Sequence, residues 1–253
     1  MPDYGLIGYP LSHSFSRAYF TEKFERLDLP DHRYHLFPLP RIDDLPALIR
    51  DHPQLCGLNV TIPHKKAVLP YLDACSPEAG RVGAVNTIRL EGGRLTGYNT
   101  DVFGFEQSLR YFLEGLDLEG FAALVLGTGG ASKAVVYALD RLGIPYQRVS
   151  RRAGQAELVY GQLDEACIRR HRLIVNTTPL GMYPNEQQAP ALPYAGLGAG
   201  HFLYDLVYNP EKTLFLKEGE KRLARIHNGL RMLHLQAEAA WAIWNDRPPP
   251  HTD

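Results

Sequence analysis

Short apolar runs alternate with segments of helical character along the whole chain, and the pattern falls into two series. In the first, residues 4–8, 33–37 and 56–62 read as strands, and 15–27, 42–50 and 64–72 as helices. Residues 84–90 and 95–98 flank Gly92-Gly93 and read as a hairpin. The second series opens at 121–126, a continuous apolar run suited to a strand covered on both faces. A helix over 131–142 follows, then strands at 146–150, 173–176, 202–207 and 224–226, a helix over 211–221 and a final helix over 230–244. A helix over 102–113 joins the two series, and the Pro-, Gly- and Ala-rich stretch 189–200 reads as a loop. Such alternation predicts an α/β protein.

The length of 253 residues accommodates two modest domains. With 45% hydrophobic and 22% charged residues, the chain has enough apolar surface to offset its conformational entropy, which excludes disorder as the dominant state. A net charge of -1 without a long basic run excludes a nucleic-acid partner. The three cysteines, Cys56, Cys75 and Cys167, fall in no metal-like spacing. Their odd number points to a reducing compartment, and no metal is expected. No charged leader precedes an apolar stretch at the start, and no apolar run is long enough to span a bilayer. A cytoplasmic location with no membrane partner is the expectation.

Gly127-Thr128-Gly129-Gly130-Ala131-Ser132 lies between a buried strand and a helix. That is the setting of a dinucleotide-binding turn: Gly127 permits the tight turn, and Gly129 lets the backbone approach a pyrophosphate. The helix start then offers unpaired N–H groups and a positive dipole end. An ordinary glycine turn is the plainer alternative. An NAD site places Asp or Glu at the end of the second strand. Here Val149 is followed by Ser150-Arg151-Arg152, with no carboxylate. Guanidinium groups suit a phosphate, so NADP is the expected nicotinamide. For Arg152 alone, a solvated basic turn is an equally good reading.

Four polar clusters interrupt the first series: Ser12-His13-Ser14-Phe15-Ser16, Asn59-Val60-Thr61-Ile62-Pro63-His64-Lys65, Asn86-Thr87 and Asn99-Thr100-Asp101. If the strand runs to residue 62, Asn59 and Thr61 share one face while Val60 and Ile62 point into the core. Pro63 suits a helix start, which places Lys65 in a first turn near the strand ends. Taken singly, these residues also read as caps, turn formers or a surface lysine. On the last helix Met232, Gln236, Ala240 and Ile243 share a face, so Gln236 needs a partner, either a substrate or a backbone carbonyl.

In order along the chain these clusters resemble the shikimate dehydrogenase (shikimate/quinate dehydrogenase) family. Further matches are Gly83-Ala84-Val85-Asn86-Thr87, Asn176-Thr177-Thr178-Pro179-Leu180-Gly181-Met182, Asp205-Leu206-Val207-Tyr208-Asn209-Pro210 and Asn228-Gly229-Leu230-Arg231-Met232 running on to Gln236-Ala237. The resemblance spans nearly the whole chain. It implies an α/β substrate domain, residues 1–101 completed by the helix 230–247, and a Rossmann-like doubly wound NADP-binding domain, 102–229, with a cleft between them. It further implies reversible reduction of 3-dehydroshikimate to shikimate by hydride from NADPH. Ser14 and Ser16 would then bind the substrate carboxylate, with Tyr208 beside it. Thr61, Asn86, Asp101 and Gln236 would serve the ring oxygens, Asn59 would join the substrate-binding set, and Lys65 with Asp101 would form the catalytic pair. Gly127, Thr128, Gly129, Gly130 and Ala131 would hold the pyrophosphate, and Ser150, Arg151 and Arg152 the adenosine side. Thr177, Thr178, Met182, Leu206, Gly229 and Met232 would line the nicotinamide. The chain departs from the family at Arg17, where proline is usual, and at Ser150-Arg151-Arg152, where Asn-Arg-Thr is common.

As hydride reaches a ketone carbon, charge grows on its oxygen, and an ammonium such as that of Lys65 stabilises it there. An NAD-dependent quinate/shikimate dehydrogenase is the close alternative, opposed by the missing acidic residue after Val149. A non-catalytic metabolite sensor is opposed by the intact Lys65, Asp101 and glycine turn. A monomer or a homodimer fits, and a pure interaction module fits least.

Overall fold

The computed structural model of the protein describes residues 1–11 and 15–248. The chain divides into two compact units, Met1–Thr100 with the residues from Ala237 on, and Asp101–Gln236.

The first unit contains β1 (Asp3–Gly8), α1 (Phe15–Arg26), β2 (Arg33–Pro38), α2 (Leu45–Asp51), β3 (Leu55–Val60), α3 (His64–Ala67), β4 (Ala74–Cys75), α4 (Pro77–Val82), β5 (Thr87–Glu91) and β6 (Arg94–Tyr98). Its sheet has the order β2-β1-β3-β5-β6-β4. β1 runs parallel to both β2 and β3, while β5 and β6 form the antiparallel hairpin predicted around Gly92-Gly93. One layer under this sheet is built from Ile7, Leu45, Leu58, Val60, Val68, Val85 and Ile88. The other joins Tyr4, Phe20, Phe24 and Tyr34 to Ala237, Ala240, Trp241 and Trp244. Trp244 seats on Gly57, where a side chain would collide with the indole, and its Nε1 donates to Ile88 O at 3.0 Å.

Helix α5 (Thr100–Phe112) leads into the second unit: β7 (Ala123–Leu126), α6 (Gly130–Arg141), β8 (Tyr146–Ser150), β9 (Leu158–Val159), α7 (Glu165–Arg170), β10 (Leu173–Asn176), β11 (Phe202–Asp205), α8 (Leu214–Glu220) and β12 (Arg225–His227). The last helix, α9 (Leu230–Trp244), begins here and ends in the first unit. The sheet is parallel throughout, in the order β12-β11-β10-β7-β8-β9. Counted from β7, that is the doubly wound order 3-2-1-4-5-6, with its switch point between β7 and β10. Residues 123–126, 173–176 and 202–205 are buried without exception, as strands covered on both faces must be.

Several expected elements differ. β3 ends at Val60, so Val60 is buried but Ile62 is 74% exposed rather than packed in the core. The chain turns at Pro63, and the expected helix 64–72 shrinks to the single turn of α3 followed by a 3-10 turn at Leu69–Tyr71. α4 was not evident in the pattern. It is a helix of only six residues, capped by Ser76, whose hydroxyl accepts from Ala79 N, and closed by Gly83 in the left-handed region at φ +63. No helix among the described residues is long and apolar enough to cross a membrane.

Candidate active site

In the second unit the site starts at the switch point. Gly127 leaves β7 with φ +109, and a Cβ there would lie 2.7 Å from Thr177 Oγ1. Both the conformation and the close approach require glycine. Thr177, directly after β10, donates its hydroxyl to Leu126 O at 2.7 Å, and Ser132 donates to Gly127 O at 2.8 Å. Gly129 is the N-cap of α6 with no side-chain cap, and a Cβ at Gly129 or Gly130 would meet nothing within 4 Å. The first turn of α6 carries no acidic residue. This open cradle, at the positive end of a twelve-residue helix and at the crevice of a doubly wound sheet, fits a dinucleotide pyrophosphate.

Beside β8, the carboxylate of Glu157, just before β9, is already committed. It accepts from Arg148 at 2.6 Å, and the hydrogen bonds from Arg148 hold its carboxyl down to about 2. Arg151 and Arg152 are exposed and form no ion pair among the described residues. Ser150 is buried and accepts from Arg152 N at 3.1 Å, so it shapes the turn that presents the two guanidinium groups. Met182 is exposed, Leu206 is partly buried, and Gly229 is packed against the backbone of Leu206.

In the first unit the polar clusters converge on Val85-Asn86. Val85 N donates to Lys65 O at 2.7 Å, fixing α3 beside β5. Asn86 Oδ1 accepts from Thr100 N at 2.7 Å, and Asn86 Nδ2 donates to Thr100 Oγ1 at 3.0 Å. Asn99 Nδ2 donates to Ala84 O at 2.9 Å. The peptide just before Asp101 is therefore pinned to the same pair of residues that holds the backbone of Lys65. Asp101 lies in the first turn of α5, where the helix dipole favours its negative charge.

Asn59 is hydrogen-bonded at both ends of its amide. Its Oδ1 accepts from Tyr34 at 2.7 Å, while Nδ2 donates to Asn86 O at 3.4 Å and Thr87 Oγ1 at 3.3 Å. These bonds tie Asn59 to Asn86 and Thr87 inside the fold. Tyr34, absent from the motifs, is thus part of the site's foundation through its bond to Asn59. A buried tyrosine on a strand that reads as ordinary core gave no signal of this. Ser16 is partly buried in the first turn of α1. Ser14 lies outside the described residues. Thr61 is partly buried after β3. Gln236 donates to Leu233 O at 3.0 Å, which satisfies one amide proton by the plainer of the two expected routes. Tyr208 is partly buried, and burial raises its phenol above the ordinary range.

The family model described as shikimate dehydrogenase substrate binding domain matches residues 6–88. A protein named shikimate dehydrogenase (NADP(+)) from Carboxydothermus hydrogenoformans is 38% identical, over 97% of this chain and 92% of its own. The chain belongs to the shikimate dehydrogenase family. Another member so named, from Salinibacter ruber, is 41% identical over 97% of this chain and 92% of its own. Among solved structures, the family enzyme of Thermus thermophilus, in complex with NADP(H) and shikimate, superposes with a TM-score of 0.86 at 33% identity, covering 99% of this chain and 95% of that one. Family membership thus extends over both units, including the residues beyond 88 that the substrate-domain model does not reach.

Proposed function

We infer that this chain catalyses the reversible, NADP-dependent reduction of 3-dehydroshikimate to shikimate, a step of aromatic amino acid biosynthesis by way of chorismate. The observation that carries the reading is the joint anchoring of Lys65 and Thr100 on Val85-Asn86, at 2.7 Å in each case, which fixes the backbones that carry an ammonium and a carboxylate.

When bound, NADPH supplies the hydride. The residues do the rest. Gly127, Thr128, Gly129, Gly130 and Ala131 hold the pyrophosphate by backbone, Ser150 shapes the turn, and Arg151 with Arg152 takes the 2′-phosphate. Thr177, Thr178, Met182, Leu206, Gly229 and Met232 border the nicotinamide. Ser14, Ser16 and Tyr208 orient the substrate carboxylate, and Thr61, Asn86, Asp101 and Gln236 the ring oxygens. Lys65 gives its proton to the oxygen as negative charge builds there, an interaction stronger in the transition state than in the ground state. Asp101 holds a substrate hydroxyl and shares the proton transfer with Lys65.

Residues 1–101 with the last helix form the substrate domain in this reading, and 102–229 the NADP domain. Each chain carries a full set of these residues, which suits a monomer or a homodimer. Three free thiols suit the reducing cytoplasm. The test is initial-rate kinetics with shikimate or quinate and NADP or NAD. Shikimate with NADP should be the best combination. Arg151→Ala should raise the KM for NADP by roughly 10- to 100-fold, the scale of a lost charge-assisted hydrogen bond, with little effect on NAD. Equal use of both nucleotides by the wild type, or preference for quinate, contradicts the reading.

A further inference from the structure

Asp205 ends β11 as a carboxylate with no exposed surface and no ion pair among the described residues. Three donors from three segments converge on it. Asn176 Nδ2, at the end of β10, donates to Oδ1 at 2.9 Å. Val207 N donates to the same oxygen at 3.0 Å, and Thr213 Oγ1 donates to Oδ2 at 2.6 Å. The network extends one step further on each side. Asn176 Oδ1 accepts from Thr178 N at 3.0 Å and from Thr178 Oγ1 at 2.7 Å. Thr213 caps α8, accepting from Leu216 N at 3.4 Å, and packs so closely on Gly181 that a Cβ there would sit 3.2 Å from its own. The loops on either side of this carboxylate carry Thr177, Thr178, Met182, Leu206 and Tyr208.

We propose that Asp205 is a positioning residue for the cofactor: it ties the loop after β10 to the loop after β11 and so fixes the surface on which the nicotinamide half of NADP rests. This rests on the reading that those loops border the nicotinamide. A purely apolar residue at the end of β11 would satisfy the strand's burial but leave Asn176, Val207 N and Thr213 without their acceptor, and each loop free of the other. The carboxylate needs no charge for the task. Asparagine offers a carbonyl to Asn176 and Val207, and its NH2 donates to Thr213 Oγ1 once that hydroxyl turns to accept.

The experiment compares Asp205→Ala, Asp205→Asn and Thr213→Val with the wild type, measuring KM for NADP, KM for shikimate and thermal unfolding of each. The expected result is an NADP KM raised about tenfold or more in Asp205→Ala, with the shikimate KM at saturating NADP little changed, and recovery to within about threefold in Asp205→Asn. Thr213→Val removes one of the three bonds and should give a smaller rise, which keeps the proposal open to refutation if Asp205→Ala does not fold. A purely structural role would lower the unfolding temperature and the active fraction while leaving the NADP KM of the folded variants within about twofold of wild type; that overturns the proposal. If the wild type itself does not bind NADP, the underlying reading fails with it, so the two failures are distinct.

Discussion

Asn86 grips Thr100 at two points: its Oδ1 accepts the Thr100 N–H at 2.7 Å, and its Nδ2 donates to the Thr100 hydroxyl at 3.0 Å. Both residues are buried, and Thr100 opens the helix whose next residue is Asp101. The side chain of Asn86 therefore sets where the helix turn bearing Asp101, the carboxylate of the proposed reaction, begins. Asn86→Ala should lower kcat/KM for shikimate by roughly 100-fold, the scale of a displacement of about 1 Å at a reacting centre, while NADP binding measured alone stays near wild type. A variant with normal kcat/KM would show that the clamp serves stability only.

The Lys23 ammonium reaches both oxygens of Glu238 at 2.6 Å, and Tyr19 also donates to that carboxylate. The Lys23 side chain is only 6% exposed, so removing it strands a largely enclosed carboxylate. Lys23→Met should cost about 3 kcal/mol of unfolding free energy, and adding Glu238→Leu should restore most of it. Burial alone would raise the Glu238 carboxyl, but hydrogen bonds from Lys23 and Tyr19 outweigh it and hold the group below its ordinary value. The stabilisation is therefore present above the usual carboxylate range and lost as pH falls through the lowered value. The gap between wild type and Lys23→Met in denaturant titrations should narrow in acid; a constant gap would contradict this.

Asp205 has the opposite sign. Burial pushes its carboxyl up to about 6, against the pull of Thr213, Val207 N–H and Asn176. A group raised in the folded state contributes stability below its unfolded value and loses it as pH rises through the folded one. Relative to Asp205→Asn, wild-type stability should fall between pH about 4 and 7 by about 3 kcal/mol, the worth of a shift of about two units. Parallel stability curves for the two proteins across that window would contradict the assignment.

Much of this was legible from local pattern. Strands 173–176 and 146–150 and helix 230–244 announce themselves through apolar runs and a preceding Gly229, and the structure places them at those bounds. The glycine turn was legible because a left-handed φ and a close backbone approach leave glycine as the only choice. What was not legible depends on chain ends meeting in space. The single turn of α3 and the exposure of Ile62 follow from where β3 stops, which its own periodicity does not mark. The roles of Tyr34 and Asn59 arise from partners 25 residues apart in sequence. Asp205 and Asn176 did carry a hint, as polar residues closing wholly apolar strands, but only the adjacency of β10 and β11 shows that they answer each other.

Lys65→Met tests the account most directly. It keeps the stem and removes the charge from a position whose backbone is held by Val85 N at 2.7 Å. The measurement is the rate of reduced-cofactor formation from shikimate and NADP by wild type and variant, at saturating concentrations of both. The wild type should form NADPH readily, and the variant should turn over roughly 10²–10⁴ times more slowly with a far smaller change in shikimate KM. A wild type that forms no NADPH, or a Lys65→Met variant with near-normal turnover, would contradict it.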